Sequence, residues 1–132
     1  FLSQALHFTG LLYWRVDMWS DNPWDQTNNQ GKISANNYPG EGVLIYPGQP
    51  AGFEGVAPSI RLKWLRDGVD DYDYIQLLRQ AGQANWADEV IRRVAKNFSD
   101  WTHDPKALQA ARQELGEKLN QLHPEPKPEN PQ

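Results

Sequence analysis

The chain has 132 residues, 39% of them hydrophobic, 23% charged and 11% aromatic, with no cysteine and a formal charge of -4. That is one domain's worth at most, shorter than the roughly 200–250 residues of a complete barrel enzyme, and it excludes disulfides, thiol redox chemistry and thiolate metal sites. An acidic chain with a pI near 5.3 and no basic stripe argues against a nucleic-acid partner, and no run of about 18 apolar residues marks a membrane partner.

The first residues, Phe1, Leu2, Ala5 and Leu6, read as part of an apolar helix, so the chain is expected to be cut from something longer. After Gly10, residues 11–17 (LLYWRVD) are rich in β-forming types and predict a strand. The apolar run Leu11–Trp14 suits a strand buried on both faces. Residues 18–42 are dense in Asn, Asp, Gly and Pro and predict a long loop, a feature more often functional than incidental. A short strand over 43–46 (VLIY) closes at Pro47-Gly48.

Three helices are expected beyond it. The first, 59–80, carries Leu62, Leu65, Val69, Tyr72, Ile75 and Leu78 at steps of three and four. Gly68 interrupts it at a cost of about 1 kcal/mol, a hint of close packing there. The second, 85–98, has Asn85 as its expected cap, Asp88 and Glu89 in its first turn, and Trp86, Val90, Val94 and Phe98 along one side. The third, 105–122, opens with Asp104-Pro105 and carries Leu108, Ala111, Leu115, Leu119 and Leu122. Residues 123–132 are proline-rich and expected to be disordered. The fold class is mainly α with two short β-strands, α+β.

The densest candidate chemistry is Tyr13–Asp25, where Trp14, Trp19 and Trp24 accompany Arg15, Asp17, Asp21 and Asp25. Aromatic plates for stacking sugar rings and acids for their hydroxyls fit the end of a barrel strand and the loop after it. The plainer alternative is that Trp14 packs in a core while Asp21 and Asp25 cap turns beside Pro23. Paired carboxylates for glycoside hydrolysis stand roughly 5 to 9.5 Å apart, a spacing that Asp17, Asp21 and Asp25 can supply, although nothing in the sequence shows them buried or paired.

Other acids read as structural. Asp88-Glu89 complements a helix dipole, and Asp67, Asp70, Asp71 and Asp73 form a solvated face or ion-pair partners for Arg61 and Arg66. Trp64, Trp86 and Trp101 read as packing. His7, His103 and His123 lack ligand spacing, so no metal is expected, and without a nucleophile elbow, P-loop or dinucleotide fingerprint no cofactor is expected either.

The ordered motifs GEGVLIYPG (Gly40–Gly48) and PSIRLKWLRDGVDDYDYIQLL (Pro58–Leu78), with GLLYWRVDMW (Gly10–Trp19) and Pro23 and Asp25 upstream, resemble the C-terminal part of the catalytic domain of glycoside hydrolase family 123, a region also catalogued as a bacterial domain of unknown function. Lys63 departs from the pattern, which favours an acid there. The resemblance implies the C-terminal fragment of a (β/α)8 barrel with a helical cap, 11–17 being the last barrel strand. It also implies hydrolysis of N-acetylgalactosamine-type glycosides, with the substrate's acetamido group as nucleophile and an Asp/Glu pair on an earlier strand, outside this chain.

Carried over position by position, Trp14, Asp17, Trp19, Trp24 and Asp25 would line the sugar subsite, with no catalytic residue in the chain. Arg61, Arg66, Asp71 and Tyr72 would dock the first long helix onto the loops. The partners implied are a carbohydrate substrate and the rest of the parent catalytic domain, and the isolated chain is expected to be inactive. A non-catalytic carbohydrate-binding module or a structural module is the alternative.

Overall fold

The computed structural model describes residues 1–25 and 40–123; the rest of the long loop and residues 124–132 of the tail lie outside the described residues. In chain order the elements are α1 (Leu2–Ala5), β1 (Ile45–Pro47), a 3-10 turn (Gln49–Ala51), β2 (Val56–Pro58), α2 (Ile60–Gln80), α3 (Ala84–Val94), β3 (Ala95–Asn97), β4 (Asp100–Trp101) and α4 (Pro105–Leu122). The architecture is mainly helical with short antiparallel strands. The described residues hold four such strands in two pairs, β1–β2 and β3–β4, where two strands were expected. Two compact units divide the chain, one of Phe1–Gly10 with Gly68 onward, the other of Leu11–Asp67.

In the first, helical unit, α3 turns its buried face of Ala87, Val90, Ile91 and Val94 toward Ala111 and Leu115 of α4 and Ile75 and Leu78 of α2. This three-to-four spacing buries one apolar stripe per helix, the main source of stability for helices of this length. Gly82, in the left-handed region at φ 77°, ends α2 and lets the chain reverse into α3. At the start of α4, Pro105 sits where no backbone donor is needed, and Asp104 Oδ1 accepts from Lys106 N at 2.9 Å.

Several expectations are corrected in this unit. Asn85 is not the cap of α3: the helix begins at Ala84 behind Gln83, which makes no side-chain cap bond, and Asp88 and Glu89 fall beyond the first turn. Asp88 instead pairs with Arg79 at 2.6 Å. Nor does α3 reach 98. Ala95 turns extended, and Asn97 Oδ1 accepts from Ser99 N and Asp100 N, so the side chain builds the turn of a β3–β4 hairpin with Phe98 exposed at its tip. Val69 faces solvent, and the buried positions on this part of α2 are Asp71, Ile75 and Leu78.

Gly68 has open space where a Cβ would stand, so among the described residues nothing packs against that position. With no contact to lose, Gly68→Ala is expected to raise stability by about 0.5–1 kcal/mol through reduced freedom of the unfolded chain, read as a higher urea midpoint at an unchanged slope.

The second unit holds a small core of Val43, Tyr46 and Ala57, with Met18 and Trp19 packed on it. Its β-structure is local: Tyr46 faces Ala57 in the β1–β2 register, and the short 3-10 turn carries the chain between the two strands. Residues 11–17 do not form the expected strand. Only the end of the segment pairs, through an isolated bridge from Asp17 to Val43, with Met18 N donating to Gly42 O at 2.8 Å and Leu44 N to Val16 O at 2.7 Å. A strand exists only where a neighbour takes its backbone groups, and among the described residues Leu11–Trp14 has none beside it for a ladder. Leu12 is 93% exposed, the opposite of burial on both faces.

Candidate functional site

The residues singled out in the sequence fall along one seam of the second unit, where the chain from Tyr13 to Asp25 runs against Gly40–Pro47. Three indole N–H groups fasten the two segments at successive points. Trp14 Nε1 donates to Glu41 Oε1 at 2.7 Å, Trp19 Nε1 to the Ile45 carbonyl at 2.7 Å, and Trp24 Nε1 to the Pro47 carbonyl at 2.9 Å. A fourth tie runs from Gly42 N to the Tyr13 hydroxyl at 2.9 Å. Each indole nitrogen has only one hydrogen to give, so the rings are oriented and their faces are what remains for other contacts.

The faces differ in what they meet. Trp19 packs on the small core, and Trp24 leans on Tyr46 with ring centroids 5.0 Å apart. Trp14 keeps 52% of its surface exposed, so it is not the core residue of the plainer sequence alternative. Close by in sequence, Arg15 Nε donates to Asp17 Oδ1 at 3.0 Å, an exposed pair that contributes at most about 1 kcal/mol and leaves both groups open to an exchange of partners. Asp25 accepts from the Asn22 side-chain amide, and Asp21 and Asp25 are both exposed.

Two glycines let the seam close. Gly42, at φ 71°, lies so near the loop that an added Cβ would come within 2.9 Å of Met18 Cβ and 3.1 Å of Trp14 Cζ2. Gly40, at φ 80°, lies under Arg61, whose Cζ would be 2.6 Å from such a Cβ. Arg61 in turn donates from Nε and Nη2 to the Val43 carbonyl, and from Nη2 to the Tyr46 hydroxyl at 2.9 Å. A planar guanidinium is suited to this forked task, which ties the start of α2 to the loop segment.

Of the other residues expected to dock α2 onto the loops, Arg66 pairs, among the described residues, with adjacent Asp67 at the surface. Asp71 pairs with Arg112 of α4 and Tyr72 with Gln76, both inside the helical unit. The tryptophans expected as packing also divide. Trp86 lies against the helical core, Trp64 is 64% exposed on α2, and Trp101 is exposed beside His103. Sequence reasoning missed Glu41 as the anchor of Trp14; an acid between two glycines, Gly40 and Gly42, was the available signal. Among the described residues no group of three or more His, Asp or Glu side chains is placed to hold a metal, and no helix is long and apolar enough to cross a membrane.

The seam thus leaves exposed the ring of Trp14 and, one and three residues on in the chain, the Arg15–Asp17 ion pair. Residues 1–78 match the family described as glycoside hydrolase 123, catalytic domain, a stretch that takes in the whole seam and ends inside α2. The chain belongs to that family, and glycoside hydrolysis is the activity the family carries. No curated protein matches it significantly.

Proposed function

We propose that the chain supplies one wall of the sugar subsite in a glycoside hydrolase acting on N-acetylgalactosamine-type glycosides. The observation that carries this reading is Trp14: its ring is half exposed yet held by Glu41 close to the Gly42 backbone, and the exposed Arg15–Asp17 pair follows directly in the chain. A stacking plate that is already oriented loses little freedom when a sugar arrives. Asp17 takes the role of hydroxyl acceptor, Trp24 and Asp25 extend the wall, and Trp19 holds it from behind.

In this proposal residues 11–17, which have no ladder partner among the described residues, would become the last strand of a (β/α)8 barrel on pairing with the rest of the catalytic domain, and the helices form a cap. The bare apolar run at Leu11 and Leu12, with Val16 also exposed, supports it, since such a run is usual where strands on both sides complete a sheet. The remainder of the catalytic domain would cover that run and contribute the Asp/Glu pair. Asp88-Glu89 does not serve as that pair, because Asp88 is engaged with Arg79. The isolated 132-residue chain is therefore expected to show no turnover of an aryl N-acetylgalactosaminide. Hydrolysis above the buffer rate would overturn the assignment of the acid pair to another part of the domain.

A further inference from the structure

A cleft of about 290 Å³ opens in the helical unit between α1, α2 and α3, lined by Gln4, His7, Arg79, Asp88, Arg92 and Lys96 among others. Three cations against one carboxylate is an unusual local balance in a chain whose net charge is -4. The cleft is also organised from beneath. Gln4, only 2% exposed, donates from Nε2 to the Tyr72 carbonyl at 3.1 Å and accepts from Arg79 Nη1 at 2.7 Å. Asp88 accepts from Arg79 Nη2 at 2.6 Å, so the guanidinium is fixed on two sides while its Nε–H makes no hydrogen bond among the described residues.

Arg92 has neither an ion pair nor a hydrogen bond among the described residues, and it projects from the same wall as Ile91 and Ala95. Among the described residues Lys96 is held by Asp100 alone, in an exposed pair at 2.9 Å, which a stronger acceptor displaces at small cost. His7 is the one non-glycine described residue in the left-handed region, at φ 57°, and it places a further ring donor at the rim.

We propose that this cleft binds an oxyanion, of the sulfate, phosphate or carboxylate type, with Arg92 and Lys96 as the direct donors and Arg79 as the preorganised cation at its floor. Arg92, exposed and without a hydrogen bond among the described residues, is open to fork onto two oxygens of such an anion, while the fixed, partly desolvated Arg79 supplies charge from below. The ordinary explanation for Arg92 is that it complements the C-terminal dipole of α3, a role that Arg93 shares. The two arginines differ in that Arg93 is already paired with Glu114 at 2.7 Å and does not line the cleft.

That difference supplies the test. Amide NMR of the 132-residue chain, titrated with sodium sulfate against sodium chloride at matched ionic strength, should show saturable shifts confined to Gln4–His7 and Asp88–Lys96. Arg92→Ala should weaken sulfate binding about tenfold, as loss of a hydrogen bond to a charged group does, while Arg93→Ala leaves it unchanged. Both positions are exposed, so neither variant threatens the fold. Repeating the titration with a sulfated N-acetylgalactosamine distinguishes an anion borne on a sugar, which binds more tightly than inorganic sulfate, from a free ion, which does not. Absence of sulfate-specific shifts, or equal weakening by Arg92→Ala and Arg93→Ala, would overturn the proposal.

Discussion

Arg112→Met is expected to cost the helical unit about 3 kcal/mol, because it strands a buried carboxylate. Asp71 is buried on α2, and its Oδ1 accepts from Arg112 Nε on α4 at 2.6 Å, so the pair joins two helices far apart in sequence. Methionine keeps most of the volume of the arginine stem, which separates loss of the partner from loss of packing. The figure sits at the lower end of the range for breaking a buried pair for two reasons. Arg112 is partly solvated, and the Phe1 α-amino group also lies within reach of Asp71. That amine is a weak substitute: burial pulls its pKa below the ordinary 8.0, and the opposing pull of Asp71 is the smaller effect.

Adding Asp71→Asn to Arg112→Met should restore more than half of the lost stability, since it removes the stranded charge itself. Urea unfolding at neutral pH followed by helix ellipticity measures both variants. Equal stability of the single and double variants would show that the loss came from packing rather than from charge.

The second large effect concerns Trp14. Trp14 is not among the residues packed on the small core of Val43, Tyr46 and Ala57, and its tie to the seam runs through the indole N–H, which leaves the ring face exposed. Truncation to alanine removes the Glu41 hydrogen bond, whose net contribution at an exposed site is about 1 kcal/mol, and leaves the ties through Trp19 and Trp24 intact. If the ring stacks on a sugar in the transition state, the same truncation should lower kcat/KM at least tenfold, because the apolar area covered and the aromatic contact together are worth roughly 1.4 kcal/mol or more.

Much of the helical half is legible in the chain's own pattern. Asp104-Pro105 announces the start of α4 through local chemistry, and Leu108, Ala111, Leu115 and Leu119 mark its inner side by spacing alone. The C-terminal end of α3 is not legible that way, because Ala95–Asn97 can continue a helix; only the Asn97 side-chain turn and the pairing with Asp100 and Trp101 decide otherwise. Leu11–Trp14 has strand chemistry without a ladder partner, so a local reading of its residues leads to an element that the described residues do not form.

At the seam, the concentration of Trp14, Trp19 and Trp24 stands out in the sequence. What each indole does depends on contacts more than 20 residues away, to Glu41, Ile45 and Pro47, and no local pattern encodes those. The same holds for Arg61, which the acidic run suggested as an ion-pair partner and which instead holds a carbonyl and a tyrosine hydroxyl. Buried or tethered polar groups of this kind answer to tertiary geometry, whereas apolar periodicity answers to the helix itself.

The subsite reading is tested most directly by steady-state hydrolysis of an aryl N-acetylgalactosaminide with a complete catalytic domain carrying this chain, native against Trp14→Ala. Far-ultraviolet ellipticity and the urea midpoint confirm that the variant is folded. The expected result is a fall in kcat/KM of tenfold or more with the fold retained. A folded Trp14→Ala enzyme with native kcat/KM would contradict the placement of Trp14 in the sugar subsite.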